Sequence, residues 1–598
     1  MQSTFCKTPL WTAGTTLSRV AQGKAPADMV VQNATLVNVC TGKLQSPIAV
    51  AIAMGRIAYV GASAQHCVGE HTQVIDATGK YLAPGLLDGH IHIESSMMTV
   101  RGFAEAVLPH GTVGVYYDPH EICNVLGVEG VKLLMAEAEA LPLKAMLTMP
   151  SCVPAVAGFE DSGAAIDASD ISEMMRDPRV VGLGEMMNYP GILAGADGPC
   201  AIVDETLKTG KVVTGHYAVP ETDRGLNAYI AHGIRCCHES THADEALAKM
   251  RLGMYAMLRE GSGWRDLHAV AKAVTEGAVD SRFAVLVTDD AHPHTLWEQG
   301  HVDRLLRRAV EEGIDPVRAV QMVTLNCAQC FQMDHELGSV TPGKCADFVL
   351  FDDLTHFNVA LTAIDGVIVA QNGALTAPLP PSNYPDWARK TMHIDRTIPA
   401  SDFCVPTQAD GAVSVRAIEV IPGSAANLAR IVTLRAAHGR VEADPAQDIL
   451  KAAVFARHSG CATHALGFVK GFGVRLGAMA STVAHDAHNL MVLGTNDADM
   501  ALAANALVAC GGGMCVVQDG VVLGCVPLPI AGLMSEGTAE EMSGQVGHLG
   551  AAWNAIGCTL PAPFMTMALL SLACIPELRL TNRGLVDCCT FAFTPLFV

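Results

Sequence analysis

The sequence predicts an α/β fold built around a (β/α)8 barrel of the TIM type, and three observations support this. Residues 81–335 alternate apolar runs typical of strands with amphipathic segments typical of helices. Eight such units take about 250 residues, which matches the length of this stretch. Most of the predicted strands end at or beside a residue that can bind a metal ion or transfer a proton. Because barrel active sites lie at the carboxyl ends of strands, we expect the functional site there.

Short β runs precede the barrel stretch and return after it. They fill residues 28–76, separated by turn residues, and they reappear once the helical pattern ends. The later runs are Leu337–Val340, Ala346–Phe351 and Leu361–Asn372. We therefore expect residues 1–80 and 336–400 to form one small β-sandwich domain into which the barrel is inserted.

The last third of the chain has a different pattern of predicted elements. Prolines between residues 376 and 415 indicate a linker. The strand and helix patterns of residues 416–598 predict a C-terminal α/β domain. A glycine triplet, Gly511-Gly512-Gly513, follows the predicted helix Asp497–Cys510 rather than a strand. We therefore interpret the triplet as a helix cap and turn rather than as a phosphate loop.

Within the barrel stretch, the elements can be placed from hydrophobic patterns alone. The first strand leads into the Pro84–Glu94 stretch. The strands expected after it are Val113–Tyr117, Ala145–Met149, Val180–Glu185, Val212–His216, Ile234–His238 and Ala284–Asp289. The helices expected between or after them include Ile122–Ala140, Ala243–Arg259 and Val302–Glu312.

Composition and charge exclude several classes of partner. The net charge is -21 and the pI is near 5.5, which argues against binding to nucleic acid or to an anionic membrane. An aromatic content of 5% also disfavours stacking on single strands. Twenty cysteines are scattered at irregular spacing, and residues 1–10 lack the apolar core of a signal peptide. We expect a cytoplasmic enzyme with free thiols and a small neutral or cationic substrate.

His90 and His92 are the first indication of chemistry. Side chains at i and i+2 of a strand point to the same face, so this pair can hold one metal ion. A His-x-His pair alone is a weak signal, and the other strand ends decide its meaning.

The remaining strand ends supply more side chains of the same chemical kind. Imidazoles and carboxylates without cysteine suit zinc, manganese or iron(II) in a hydrolytic site. Four histidines and two carboxylates exceed what one catalytic ion needs and fit a binuclear centre. The predicted metal ligands are His90, His92, Glu185, His216, His238 and Asp289.

Longer motifs surround these residues, at positions 89–98, 118–122, 184–188, 238–241, 288–290 and 481–489. They resemble motifs of bacterial adenine deaminases, a family within the amidohydrolase superfamily. The resemblance extends from about residue 30 to 598. It implies hydrolytic deamination of adenine to hypoxanthine and ammonia by a metal-activated hydroxide, in purine salvage or catabolism. It also implies Glu185 as the residue that bridges two divalent ions, with manganese or iron favoured and zinc as an alternative.

The resemblance, together with the chemistry required, implies roles for individual residues. Asp289 is expected to take the proton from the metal-activated hydroxide, orient its attack on C6 and pass the proton to the leaving amine. Glu121 or Glu239 is expected to protonate the ring nitrogen beside the reacting carbon; the alternative for each is a partner that orients a histidine. The expected substrate contacts are Glu94, Asp118, His120, Asp290, His485, Asp486 and His488. The last three come from the C-terminal domain, and the alternatives for them are a lid over the barrel mouth, a site for another metal ion, or a polar turn between strands.

Departures from the family pattern leave alternatives open. Thr214 replaces an acidic residue before Gly215-His216, and Cys237 replaces a polar residue before His238. An amidohydrolase acting on an N6-substituted purine or a cyclic amide is therefore the alternative function. A non-enzymatic metal-binding protein is a further one, which the complete ligand set disfavours. We also expect a homo-oligomer, a dimer.

Overall fold

The computed structural model describes residues 5–277, 279–460, 463–560 and 562–598. These form two nine-stranded sheets, one ten-stranded sheet and one three-stranded sheet. Among the helices of the described residues, none combines the length and the apolar character needed to cross a bilayer.

The central nine-stranded sheet is a parallel barrel. Its last two pieces, Ala284–Val287 and Asp289–Asp290, together make barrel strand eight: the first pairs with strand seven, and the second pairs with strand one through Asp289 and Ile91. The sheet therefore closes on itself, which confirms the expected barrel. Strands one to seven are Leu86–His92, Thr112–Tyr117, Lys144–Met149, Val180–Met186, Val212–Gly215, Ile234–Cys237 and Tyr255–Arg259.

Helices between and after these strands bury one face against the barrel. Helix Val302–Glu311, for example, buries Leu305, Leu306 and Ala309. The other helices in this part of the chain are Val100–Val107, His120–Glu139, Ala168–Met174, Tyr189–Ala194, Asp197–Leu207, Arg224–Ala231, Ala243–Arg251, Leu267–Val270, Lys272–Thr275, Pro293–Gln299, Pro316–Met322 and Leu325–Cys330.

One predicted helix is wrong in its second half. The helix expected over Ala243–Arg259 ends at Arg251, and Tyr255–Arg259 is barrel strand seven. Gly253 has a φ of +79°, a left-handed conformation that commonly ends helices. Strand seven is buried on both faces, so it lacks the alternation by which an exposed strand is recognised.

The second nine-stranded sheet combines strands from both ends of the barrel. Tyr81–Pro84 precedes the barrel and pairs antiparallel with Phe348–Phe351, which follows it. Leu337–Val340, expected as a strand, is instead an irregular segment, because Gly338 takes a left-handed φ of +84°. The other strands are Met29–Asn38, Lys43–Ala53, Arg56–Gly61, Gln73–Asp76, Val359–Ile364, Val367–Gln371 and Ala374–Leu375; helix Leu10–Ala21 comes before them.

The C-terminal part is organised on the ten-stranded sheet. Helix Asp497–Cys510 ends as expected at Gly511, whose φ of +85° caps it before the strand Gly513–Gln518. Helix Ala539–Ala555 packs against barrel helix Pro293–Gln299. The remaining strands of this part are Val405–Pro406, Gly411–Val420, Asn427–Ala437, Arg440–Val441, Ile449–Phe455, His464–Lys470, Ala478–Ser481, Leu490–Gly494, Val521–Pro527, Leu578–Thr581, Gly584–Asp587 and Ala592–Phe593, with helices Asp386–Arg389 and Pro563–Ala568.

Main-chain hydrogen bonds fix the C-terminal part beside the carboxyl end of barrel strand one. Ser535 donates its N–H to the Met97 carbonyl at 2.9 Å, and Thr99 donates to the Ser535 carbonyl at 3.2 Å. This contact brings the C-terminal part over the mouth of the barrel, where the strand-end side chains lie.

Candidate active site

The structure brings all six expected metal ligands together at the carboxyl end of the barrel. They fall into overlapping groups whose nitrogen and oxygen atoms lie within 4.8 Å of one another. The groups are His90 with His92 and Asp289, His90 with Glu185 and His238, and His216 with His238 and Glu239. All of these side chains are buried except those of His216 and Glu239, which are half-buried.

Glu185 lies at the centre of this cluster. Its Oε1 is 3.4 Å from His92 Nε2, while its Oε2 is 2.6 Å from His216 Nδ1 and 3.1 Å from His238 Nε2. The two carboxylate oxygens thus face different histidines of the cluster.

Asp289 reaches the cluster from the break in strand eight. Its φ of +61° is a left-handed conformation that a non-glycine residue rarely adopts and that is often found at functional sites. The turned backbone places Oδ1 at 3.4 Å from His92 Nε2 and 3.7 Å from His90 Nε2.

The donor atoms of the cluster fit a divalent metal centre. His90 Nε2 is buried and has no hydrogen-bond partner, which is costly unless a ligand satisfies it. In His92, the ring nitrogen Nδ1 is hydrogen-bonded to the Asp118 carbonyl at 2.9 Å. The other ring nitrogen, Nε2, is thereby directed at the carboxylates of Glu185 and Asp289. Fixing the second ring nitrogen in this way is how metal-binding histidines are oriented.

Asp88 accepts hydrogen bonds from two of the segments that carry cluster residues, strand one and the segment before Asp289. Its Oδ1 accepts the N–H groups of His90 and Thr288, each at 3.2 Å. Its Oδ2 accepts the Thr288 hydroxyl and lies 3.0 Å from His301 Nε2. One fully buried carboxylate therefore joins strand one to strand eight next to Asp289.

The two candidate acids, Glu121 and Glu239, lie in different environments. Burial raises the pKa of Glu121 to about 7, and its Oε2 has no hydrogen-bond partner. Burial would also raise the pKa of Glu239, but the charge of Arg259, followed by those of His216 and His238, lowers it below the usual value. Glu121 is thus suited to carry a proton, whereas Glu239 is held as a carboxylate.

Two further acidic residues lie beside the cluster. Glu94 lines a narrow second cavity of about 30 Å³. Asp290 lines the cavity of about 70 Å³ that opens on the cluster, which is called the main cavity of the site. Glu94 accepts the Ile122 N–H at 3.2 Å through Oε1, while its buried Oε2 has no partner. Asp290 accepts a hydrogen bond from the Ser95 hydroxyl, and both residues border this region of the barrel mouth. Burial and the charge of Glu121 raise the pKa of Glu94 well above its usual value.

Asp118 and His120 lie on the other side of Glu185. Asp118 accepts the Glu185 N–H at 2.8 Å through Oδ2 and leaves its buried Oδ1 unpaired. His120 also lines the main cavity, which opens on Glu185 and Asp289. His120 Nε2 is 3.1 Å from Asp486 Oδ2. Burial would lower the pKa of His120, but the charge of Asp486 raises it to about 10.

The expected C-terminal trio is divided by the structure. His485 and Asp486 line the main cavity, and His485 Nδ1 is 3.4 Å from Asp486 Oδ1. His488 does not reach either cavity among the described residues, because its Nδ1 accepts the Ala484 N–H at 3.2 Å within its own turn.

Comparison with known proteins shows which family the chain resembles. The model of the amidohydrolase family matches residues 81–369, and that of the adenine deaminase C-terminal domain matches residues 426–592. An adenine deaminase of Clostridium botulinum is 58% identical over 598 residues, which is 100% of both chains. The chain belongs to the adenine deaminase family. The adenine deaminase of Moorella thermoacetica is 50% identical over 97% of both chains. Adenine deaminase 3 of Rhizobium meliloti is 43% identical and covers 97% of this chain and 98% of its own.

In this member of the adenine deaminase family, sequence analysis missed several residues of the site. Arg259 contacts Asp289 and Glu239 but was assigned to a helix; the Gly253 break before an apolar run was the signal that could have found it. Most of the apolar side of the main cavity also went unnoticed, since nothing in a local pattern shows which distant segments cover a barrel. The residues missed there are Trp264, Ala425, Leu569, Leu572 and Ile575.

Proposed function

We propose that this protein hydrolyses adenine to hypoxanthine and ammonia. The observation that carries the proposal is identity of 58% over the full length to a protein named adenine deaminase, combined with a converged set of metal-ligand side chains. The cavity beside these side chains is partly apolar and partly polar, as pockets for small heterocycles usually are.

The proposed cofactor is a binuclear centre of divalent ions, manganese or iron in preference to zinc. Such ions act as Lewis acids and lower the pKa of water from about 15.7 to about 7. The residues that would hold them are His90, His92, Glu185, His216, His238 and Asp289.

Asp289 is proposed to transfer a proton from the attacking water to the leaving amino group. As the water oxygen bonds to C6 of the base, Asp289 accepts one proton. It then gives that proton to the amino group, so that the C6–N6 bond breaks and ammonia leaves. The hydroxyl left on C6 loses its proton as the carbonyl of hypoxanthine forms.

Glu121 is the better candidate for protonating the ring. Attack at C6 places electrons on N1, which therefore needs a proton from a neighbouring acid. Glu121 has an oxygen without a hydrogen-bond partner, Oε2, and a pKa raised to about 7 by burial, so it can hold this proton near neutral pH. It would recover a proton from the C6 hydroxyl as the product forms. Glu239 is proposed to support the histidines instead.

The remaining polar side chains are proposed to recognise the base. His120, Asp290, His485 and Asp486 border the main cavity, and Glu94 borders the second one. Asp118 and His488 are proposed to act from behind these residues, because neither lines the main or the second cavity among the described residues.

A panel of bases tests the proposed function. Manganese-reconstituted enzyme is incubated with adenine, N6-methyladenine and a cyclic amide such as dihydrouracil, and ammonia, methylamine or ring opening is measured. We expect adenine to give the highest kcat/KM. No release of ammonia from adenine by the metal-loaded enzyme contradicts the proposal, and preferred turnover of another base identifies the alternative.

The oligomeric state and the cellular location of the enzyme are also proposals. We propose a homodimer in the cytoplasm, and the location is supported by the cysteines, since every cysteine among the described residues is a free thiol. Sedimentation velocity of the purified protein distinguishes the dimer from a monomer.

A further inference from the structure

Arg259, the last residue of barrel strand seven, contacts three carboxylates at once. Its Nη1 donates to Asp289 Oδ2 at 2.9 Å and also to Glu239 Oε1. Its Nε and Nη2 donate to Asp266 Oδ2 at 2.9 and 2.8 Å. The side chain is only 7% exposed, and no other arginine or lysine lines the main cavity among the described residues.

The hydrogen bonds of Arg259 are directed at protein groups and not at the cavity. A guanidinium has five N–H donors, and Arg259 already directs donors from all three nitrogens at Asp266, Glu239 and Asp289. Little donor capacity is therefore left for a bound base, so direct substrate contact is not its main task.

The contacts divide the oxygens of Asp289 between two tasks. Oδ2 is fixed by Arg259, while Oδ1 faces His90 and His92 at 3.7 and 3.4 Å. Without the bond from Arg259, the carboxylate of Asp289 would have one less restraint on rotation about its Cβ–Cγ bond, next to the reacting atoms.

We propose that Arg259 is a positioning residue for the deamination. It fixes the carboxylate of Asp289 in the orientation needed for proton transfer and holds Glu239 beside His238, and Asp266 anchors it in turn. This inference rests on the proposed function, since it assigns to Asp289 the proton transfer described above.

The planar fork of the guanidinium is what this role requires. Arginine can bond several carboxylates in fixed directions, whereas the ammonium of lysine is a single mobile point charge. Lysine at position 259 would keep the charge but could not span Asp266 on one side and Asp289 with Glu239 on the other. Charge alone and geometry can therefore be separated by substitution.

The test compares R259Q, R259K and D266N with the unaltered enzyme, all loaded with manganese. kcat and KM for adenine, bound metal per chain and the thermal midpoint are measured for each. R282Q is the matched control, because Arg282 is an exposed arginine just before strand eight that pairs only with Asp280 within the described residues. A further sample, R259A, is assayed with and without added guanidinium chloride at constant ionic strength.

We expect R259Q to lower kcat by about 100-fold, the loss typical of a misplaced catalytic group, with KM and metal content nearly unchanged. R259K and D266N should lose less, and guanidinium should raise kcat of R259A. Three results overturn the inference: unchanged kcat, a rise in KM alone, or loss of activity in step with loss of metal. Failure of the unaltered enzyme to deaminate adenine contradicts the proposed function instead, so the two failures are distinguishable.

Discussion

His120 of the barrel and Asp486 of the C-terminal part form a buried ion pair, with Nε2 and Oδ2 3.1 Å apart. Both residues line the main cavity, and the two are separated by 366 positions in the chain. The charge of His120, together with hydrogen bonds from His120 and His485, lowers the pKa of Asp486 even though burial would raise it. The C-terminal part thus supplies one wall of the site and an anion that pairs with a barrel histidine.

Breaking this pair should impair catalysis. D486N keeps a polar side chain of the same shape but removes the charge, and a hydrogen bond to a charged group is worth about 1.5–3 kcal/mol. We expect kcat/KM for adenine to fall about 10- to 100-fold. H120Q/D486N should lose little more than either single variant. E298Q, which breaks the exposed His294–Glu298 pair, is the control; additive losses in the double variant would argue against a functional pair.

Removal of metal should abolish activity reversibly. After dialysis against a strong chelator, the enzyme should release no ammonia from adenine, and activity should return in proportion to added manganese until two ions are bound per chain. Because both oxygens of Glu185 face histidines of the cluster, E185Q should bind fewer than two ions. Elemental analysis measures the content, with exposed E129Q as the control. Full activity at one ion per chain would contradict the binuclear centre.

Asp88 should be needed for metal binding although it is not itself a ligand. D88N weakens the hydrogen bonds to the main chain of His90 and Thr288, and partners of this kind are worth about 10- to 100-fold in metal affinity or activity. A competition titration with a chromophoric chelator measures the affinity. D76N, at an exposed turn of the other nine-stranded sheet, should bind metal normally; equal affinity in D88N and D76N would refute the prediction.

The two candidate acids should respond differently to amide substitution. E121Q removes the group suited to donate a proton, and general acid catalysis contributes about 10²- to 10⁴-fold. We expect E121Q to lose kcat within that range. E239Q should lose less, since Glu239 is held as a carboxylate by Arg259. Steady-state ammonia release decides between them, and a larger loss in E239Q would reverse the assignment.

Lys144 should stabilise the fold without affecting catalysis. It begins strand three, at the end of the barrel opposite the site, and its Nζ bonds Asp347 at 2.6 Å and Asp365 at 2.8 Å. K144M leaves two carboxylates of this buried cluster without their cation, which costs about 3–5 kcal/mol. We expect a lower thermal midpoint and an unchanged kcat. K208M, which removes an exposed pair with Glu205, should leave the midpoint nearly unchanged.

The sequence predicted which side chains meet in the cluster because each of them lies next to a recognisable strand. His90 and His92 end strand one, and Glu185 lies near the end of strand four. In a parallel barrel all carboxyl ends meet at one rim, so six side chains far apart in the chain could be assigned to one place. Arg259 was not predicted as a site residue, since strand seven is buried on both faces and its sequence continues a helical pattern.

What the sequence by itself determined is therefore the barrel, its metal-binding rim and, through long motifs, the family. Only the tertiary structure decided which oxygens and nitrogens face one another. It placed Asp88 across the closure of the barrel, Arg259 against Asp289, and Asp486 against His120, and it turned His488 away from the cavities. The physical reason is that strand ends follow from local hydrophobic patterns, whereas these contacts join segments distant in the chain and depend on side-chain direction and burial.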